Sequence, residues 1–386
     1  MAQMRAIFID VTRLLGRFMK GRLPTGVDRV SLAYIQHFSA RAQALVRLKG
    51  RTVVLPKKAS QVLFGKLLAP GKDFTRTVLW LVGREFLRFQ RASSLRGGFL
   101  FNTGHSGLEQ AAYPAQLRRQ GVLPLFVVHD LIPISHPEYC RAGELGRHLT
   151  RMNNVLDLAS GVIANSQATL DELASYAANA GQAMPPAVAA LLAAPVFPAP
   201  SPVRPMVQRY FVMLSTIEPR KNHWLMLQLW RRLVERLGPD APRLVVIGQR
   251  GWECENTVDL LERCAALRGF VTELPACSDA DLATWLQHAQ ALLFPSFAEG
   301  YGMPLVEALA AGVPVIASDL PVFREIAEAI PDYLDPLDGA GWMTRIEAYA
   351  LADSPERDAQ LARVAHFVAP TWTHHFEMVE QLLERL

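Results

Sequence analysis

The chain has 386 residues, half of them hydrophobic and 20% charged, enough for two domains with buried cores, which excludes a disordered or fibrous chain. Its net charge of +4 hides an asymmetry: residues 1–200 carry 24 Lys and Arg against 11 Asp and Glu, whereas residues 201–386 carry 16 against 25. The basic half is therefore expected to meet an anionic partner, such as a membrane surface or a phosphate-bearing acceptor, with no nucleic acid partner implied.

Cys140, Cys254, Cys264 and Cys277 show neither a CxxC pair nor a His/Cys zinc spacing, and they are too sparse for a disulfide framework. A reducing cytoplasm fits that usage. The opening MAQMRAIFIDVTRLLGR lacks the pattern of a secretory signal. The longest uncharged stretch, from Leu173 to Val203, is broken by prolines and fails as a membrane span.

In chain order, short apolar runs recur at AIFID (6–10), GGFLFN (97–102), LPLFVVHD (123–130), GVIANS (161–166), YFVMLST (210–216), RLVVIG (243–248), ALLFPS (291–296) and VPVIAS (313–318). They lack polar alternation and are separated by helical patterns. That reading gives an α/β fold of parallel sheets covered on both faces.

Around residues 76–91, Leu79, Val82, Phe86 and Phe89 are spaced for one helix face and Arg84, Arg88 and Arg91 for another. This is the pattern of an interfacial helix on anionic lipid or of an ordinary helix packed on the core. His129 and Asp130 close the apolar run LPLFVV, where a parallel strand delivers side chains to a ligand cleft. Ser166 ends GVIANS and precedes the helical QATLDELASYA, which makes it either an acceptor-side residue or a helix N-cap. The proline-dense segment 184–205 coincides with the charge switch and reads as an interdomain linker.

After YFVMLST comes EPRKN and then the helical HWLMLQLWRRLVERLG. Its Trp230, Leu233, Val234 and Leu237 keep i, i+3, i+4, i+7 spacing, with Asn222 as N-cap and Gly238 as stop. Arg220 and Lys221 thus fall at a strand's carboxyl end and just before a helix N-terminus, a setting that favours a diphosphate. In FPSFAEGYGMPLVEALAAGVPVIAS (294–318), Pro304 suits a first helical turn and Gly312 a helix exit. Glu307 is then near the start of that helix, and Glu299 lies in the loop before it. Gly300 and Gly302 open that loop to close ligand approach, and paired carboxylates suit sugar or ribose hydroxyls. Paired carboxylates also raise glycoside hydrolysis.

EPRKN (218–222) followed by EGYGMPLVEALAAGVPVIAS (299–318) resembles family 4 of the retaining GT-B glycosyltransferases, the bacterial polysaccharide and lipopolysaccharide mannosyltransferases among them. The resemblance is strong over residues 210–326 and weaker in the N-terminal half. It implies two Rossmann-like domains whose parallel sheets face each other across a cleft. An N-terminal acceptor domain would span 1–195, a linker 196–206 and a nucleotide-sugar domain 207–370, with a helix at 371–386 packing back on the first.

By that resemblance Arg220 and Lys221 hold the donor diphosphate, Glu307 the ribose and Glu299 the transferred sugar, while the backbone from Val271 to Leu274 lies beside the base. Gly26 in GRLPTGVDRV matches the family's glycine-bearing loop, with Arg29 as a further phosphate contact, and His129 matches a histidine near the sugar. The implied activity is transfer of a hexose, most naturally mannose from GDP-mannose, to a lipid-linked or polysaccharide acceptor. It needs no cofactor or metal and would be cytoplasmic, including peripherally on the membrane's inner face. A nucleotide-sugar epimerase and a non-catalytic nucleotide-sugar-binding subunit are the alternatives.

Overall fold

The computed structural model describes residues 5–22, 24–48, 51–87, 95–110 and 112–386, which form two compact units. The first comprises Met1–Ile134, Gly143–Leu192 and Trp372–Leu386; the second comprises Ser135–Ala142 and Ala193–Thr371.

The first unit holds a seven-stranded sheet of β1 (Ile7–Asp10), β2 (Ala42–Leu48), β3 (Arg51–Val54), β4 (Phe99–Asn102), β5 (Leu123–Val128), β6 (Gly161–Ala164) and β7 (Ala187–Ala189). Their order is β3-β2-β1-β4-β5-β6-β7, parallel except where β2 pairs antiparallel with β3. Every residue of β1, β4 and β6 is buried, as expected of strands covered on both faces.

The second unit holds β8 (Tyr210–Leu214), β9 (Arg243–Ile247), β10 (Val271–Leu274), β11 (Leu292–Phe294), β12 (Val315–Ser318) and β13 (Asp332–Leu334). They form an all-parallel sheet in the order β10-β9-β8-β11-β12-β13. Counted within the unit, that is 3-2-1-4-5-6, the doubly wound Rossmann order, whose topological switch lies between β8 and β11. Trp230, Trp342, Phe211 and Tyr349 fill the core beneath it.

Three sequence expectations change. The proline-dense segment is not wholly a linker, because Ala187–Ala189 adds β7 to the first sheet and Val162 donates to the Pro186 carbonyl at 2.9 Å. In the helix His223–Leu237, Trp230 and Leu233 are fully buried but Leu237 is exposed, the inward face being completed instead by Met226, Leu227 and Leu229. The basic helix is Phe74–Leu87; Val78, Leu81 and Val82 face inward, so Leu79 does not share their face and stands out beside Trp80, 59% and 58% exposed. Arg88, Phe89 and Arg91 lie outside the described residues. Among the described residues no helix is long and apolar enough to cross a membrane.

The helix Trp372–Arg385 belongs to the first unit. Phe376 packs edge-on against Tyr34 and Phe38, and His375 Nδ1–H donates to the Ala190 and Leu191 carbonyls, both at 3.1 Å. That fixes the buried imidazole's Nε2 as the acceptor for the Tyr34 hydroxyl at 3.0 Å.

Candidate active site

The second unit's site forms where the chain leaves β8 and β11, at the switch point. After Leu214 the chain passes through an extended stretch into a 3-10 turn, Pro219–Lys221, and then the helix His223–Leu237. Two glycines let the loop after β9 lie against this stretch. A Cβ on Gly248, whose φ is 149°, would fall 2.0 Å from the Ser215 carbonyl oxygen, and one on Gly251 would fall 2.8 Å from that of Ile217. Asn222 stands at the N-cap position but does not cap: it is left-handed at φ 57°, and its side chain donates to the Pro336 carbonyl at 2.8 Å. The helix's first residue, His223, is buried and held near 3 by burial and by the Lys221 charge, so it stays neutral, 3.3 Å from the Ser215 hydroxyl.

The loop after β11 docks on this turn. The Phe297 amide donates to the Arg220 carbonyl at 2.8 Å, and Arg220 returns an Nη1–H to the Ala298 carbonyl at 2.9 Å. Glu299 thereby meets both cations: Arg220 Nη1 at 2.8 Å on one carboxylate oxygen and Lys221 Nζ on the other. Glu218, to which sequence reasoning gave no role, sits beneath with its side chain 2% exposed and takes Arg220 Nε at 2.7 Å.

Burial alone would raise the Glu299 carboxyl, yet Arg220 and Lys221 outweigh it and hold the group at about 2, ionised throughout the physiological range. Burial and the neighbouring Arg220 pull the Lys221 ammonium below its ordinary value despite Glu299. Burial pushes Glu218 up against the same two cations.

Gly302 starts the helix Met303–Ala310 at φ 102°, and a Cβ there would lie 2.5 Å from the Phe323 ring, so both backbone and packing call for glycine. Glu307 is buried at the fifth position of this eight-residue helix, in its middle and not near its start. Gly300 is half-buried beside Glu299. Val271 to Leu274 form β10, half-buried throughout at the far edge of the sheet from β13. Tyr139, from the segment Ser135–Ala142, stacks on Phe297 with centroids 5.3 Å apart and planes at 11°.

In the first unit, Gly26 is the first residue of the helix Gly26–Phe38, and a Cβ there would meet nothing within 4 Å. Thr25 and Asp28 close a capping box. Asp28 is wholly buried. Burial would raise its carboxyl, but the Thr25 amide and hydroxyl, both at 2.8 Å, with Arg13 at 3.2 Å and Arg17 at 2.7 Å, hold it down. Arg29 follows on the same turn, half-buried.

His129 follows β5 directly and donates its Nε2–H to the Thr103 carbonyl at 2.7 Å; a carbonyl only accepts, which fixes this tautomer. Asp130 accepts the Ile132 amide at 3.2 Å, turning the chain into the next segment. Ser166 is fully buried and its hydroxyl accepts the Thr169 amide at 3.0 Å, so it caps the helix Gln167–Asn179. Sequence reasoning missed His105 and His148, which gather on His129. The one available signal was the glycine-flanked turn NTGHSG (102–107) closing an apolar run.

Comparison with known proteins places these residues in context. Aligned segments are 29% identical to serotype-specific mannosyltransferase WbdA of Escherichia coli over 256 residues, 58% of this chain and 29% of that protein. They are 40% identical to O-antigen chain mannosyltransferase RfbU of Salmonella typhimurium over 143 residues, 36% of this chain and 38% of that one. The chain thus spans less than a third of the length of WbdA. In three dimensions it resembles Anabaena Alr3699/HepE, solved with UDP-glucose, at TM-score 0.68 and 14% identity over 99% of this chain and 100% of that one, so the fold is that of the GT-B glycosyltransferases. Residues 200–329, which hold Arg220, Lys221, Glu299 and Glu307, match the family described as glycosyl transferases group 1.

Proposed function

We propose that the chain is a retaining glycosyltransferase of family 4 that moves a hexose, mannose in the first instance, from a nucleoside diphosphate sugar to a lipid-linked or polysaccharide acceptor in cell-surface glycan assembly. The observation that carries this reading is the convergence of Arg220, Lys221 and Glu299 at the switch point of a 3-2-1-4-5-6 sheet.

Cleavage of the anomeric C–O bond leaves negative charge on the diphosphate. Arg220 and Lys221, with the amides at the start of the helix His223–Leu237, stabilise that charge, a term that commonly dominates in such sites. The donor diphosphate competes with Glu299 for the two cations. Released from them, the carboxylate accepts hydroxyls of the sugar, while Glu307 serves the ribose. The two cations supply the charge neutralisation that a divalent metal gives elsewhere, and no cofactor takes part. In this reading the backbone of Val271 to Leu274 would serve the base, Gly26 and Arg29 the phosphates, and His129 with Asp130 the sugar. In the retaining reaction the leaving phosphate accepts the proton of the attacking hydroxyl.

The mannosyltransferase names of the relatives favour mannose and hence GDP-mannose, while HepE's bound UDP-glucose keeps a uridine donor in view. The enzyme would work in the cytoplasm, against the inner membrane face, through the helix Phe74–Leu87 with its exposed Leu79 and Trp80. Each basic residue near an anionic surface would contribute about 1 kcal/mol.

The test is incubation with a panel of radiolabelled nucleotide sugars and a lipid-linked acceptor. Transfer with α retention supports the reading. Donor binding without turnover points to a binding subunit, and conversion of the free nucleotide sugar to an epimeric one points to an epimerase. A thermal-shift comparison of GDP and UDP identifies the base, since ligand at 100 times Kd stabilises by about 2.7 kcal/mol.

A further inference from the structure

The turn after β4, residues 102–107, is held in place without its histidine. Asn102 Oδ1 accepts the Gly104 amide at 3.3 Å, and its Nδ2 donates to the Ser106 carbonyl at 3.1 Å. Arg47, anchored on Asp10 at 2.7 Å, donates to that carbonyl at 2.6 Å and to the Ser106 hydroxyl at 2.7 Å. Within this scaffold His105 has φ 54°, in the left-handed region that glycine adopts freely and a residue with a side chain only at some cost. The residue is only 7% exposed, and among the described residues its Nε2 has no hydrogen-bond partner. Backbone strain and an unsatisfied nitrogen at one buried position need a reason. Strain of this kind gathers at functional sites.

The reason lies in what the ring touches. Its centroid is 5.7 Å from that of His129 and 6.0 Å from that of His148. His129 commits its Nε2–H to the carbonyl of Thr103, two residues before His105, and His148 commits its own to the Asp130 carbonyl at 3.1 Å. The three imidazoles interlock at the end of β5. They do not form a metal site, because no group of three or more His, Cys, Asp or Glu among the described residues is arranged to hold an ion.

We infer that His105 is a positioning residue for His129. Its ring, set by the left-handed turn, braces the His129 ring so that Nε2–H stays on the Thr103 carbonyl and Nδ1, proton-free, accepts a hydroxyl of the transferred sugar. This rests on the proposed glycosyl transfer, in which His129 contacts the sugar.

Burial keeps all three imidazoles below the ordinary histidine value, so the arrangement persists through neutral pH. The charged groups facing the trio are Arg13 and Asp28 from the two helices that follow β1, Thr12–Phe18 and Gly26–Phe38, Asp130 beside His129, and Arg151 and Glu144 from the helix Glu144–Leu158. They carry both signs, so burial sets the direction.

The experiment uses the full chain with ¹⁵N-labelled histidine, compared as wild type, His105→Asn and His105→Gly, since Asn and Gly both accept the left-handed turn. Long-range ¹H–¹⁵N spectra, with His129→Ala for assignment, report the His129 tautomer, and steady-state kinetics report transfer. The expected result is an Nε2–H His129 in the wild type and tautomer averaging in both variants. Their kcat should fall about tenfold while KM for the nucleotide sugar stays within about twofold, the pattern of an interaction made in the transition state. An Nδ1–H His129 in the wild type overturns the inference. So does a variant with unchanged kcat, or one that loses kcat while His129 keeps its tautomer. If neither variant folds, His105→Gln, nearer in volume to the imidazole, takes their place in the comparison, and an Nε2–H His129 with unchanged kcat in it overturns the inference. A wild type that transfers no sugar removes the proposed function, yet the tautomer comparison still judges the bracing.

Discussion

Replacing Glu299 by glutamine tests the ion cluster at the heart of the second unit. The substitution keeps the shape of the side chain, 7% exposed, and removes only its charge, leaving Arg220 and Lys221 facing a neutral amide. A carboxylate held at about 2 against its ordinary 4.5 contributes about 3 kcal/mol of folding stability at neutral pH. The sign follows from which state binds protons more readily. The unfolded chain takes up a proton near 4.5 and the folded chain only near 2, so the contribution is complete above about pH 5 and drains as the pH falls towards 2. Glu299→Gln should therefore cost about 3 kcal/mol at pH 7 and much less near pH 2. Urea unfolding followed by tryptophan fluorescence suits the measurement in a background with Trp80 and Trp372 of the first unit replaced by Phe, because Trp230 and Trp342 lie in the core of the second unit and then report its transition. A variant whose midpoint at pH 7 matches wild type, or whose deficit is the same at pH 7 and pH 3, would refute the argument.

Arg220→Ala and Lys221→Ala each remove a charge-assisted contact of about 1.5–3 kcal/mol, so each should weaken nucleoside diphosphate binding roughly tenfold to hundredfold by calorimetry. Gly26→Ala adds a Cβ into open space at a helix start, so the melting temperature should hold; a fall of about tenfold in kcat/KM would then report a ligand backbone contact at this turn. Gly302→Ala combines a left-handed φ with a clash on Phe323 and should destabilise the second unit by at least about 1 kcal/mol in the urea assay. Leu79→Asp with Trp80→Asp, two exposed positions, should leave stability unchanged and abolish co-sedimentation with vesicles rich in phosphatidylserine.

The parts of the fold legible in the sequence were those where local chemistry and burial agree. YFVML and RLVVI are apolar on both faces because helices cover both faces, and each became a central strand. β2 carries Gln43 and Arg47, which reach the Leu55 carbonyl and Asp10, so its apolar run is interrupted and it escaped notice. The half-buried edge strand AVA of β7 was masked by its prolines, and DYL of β13 by its length and polarity. At the site, Arg220, Lys221 and Glu299 were recognisable because strand, turn and helix signals surround them. Their mutual pairing was not, since it joins residues 78 and 79 positions apart through the docking of two loops. Glu218 and the Arg13–Asp28–Arg17 cluster were invisible for a related reason. Nothing in a linear pattern announces that a carboxylate will be wholly buried and matched by cations from a neighbouring helix.

The helix Trp372–Arg385 gives the chain an order of completion. Tyr34 waits for His375, 341 residues later, and its ring and that of Phe38 pack against Phe376 only once that helix exists. At about 5–20 residues per second on the ribosome, this aromatic surface stays uncovered for roughly 20–70 s while the whole second unit is made. During that interval the first unit would expose an apolar surface of the kind chaperones bind. A gene split just after Leu192 would yield an N-terminal product held in that state until residues 372–386 were supplied in trans.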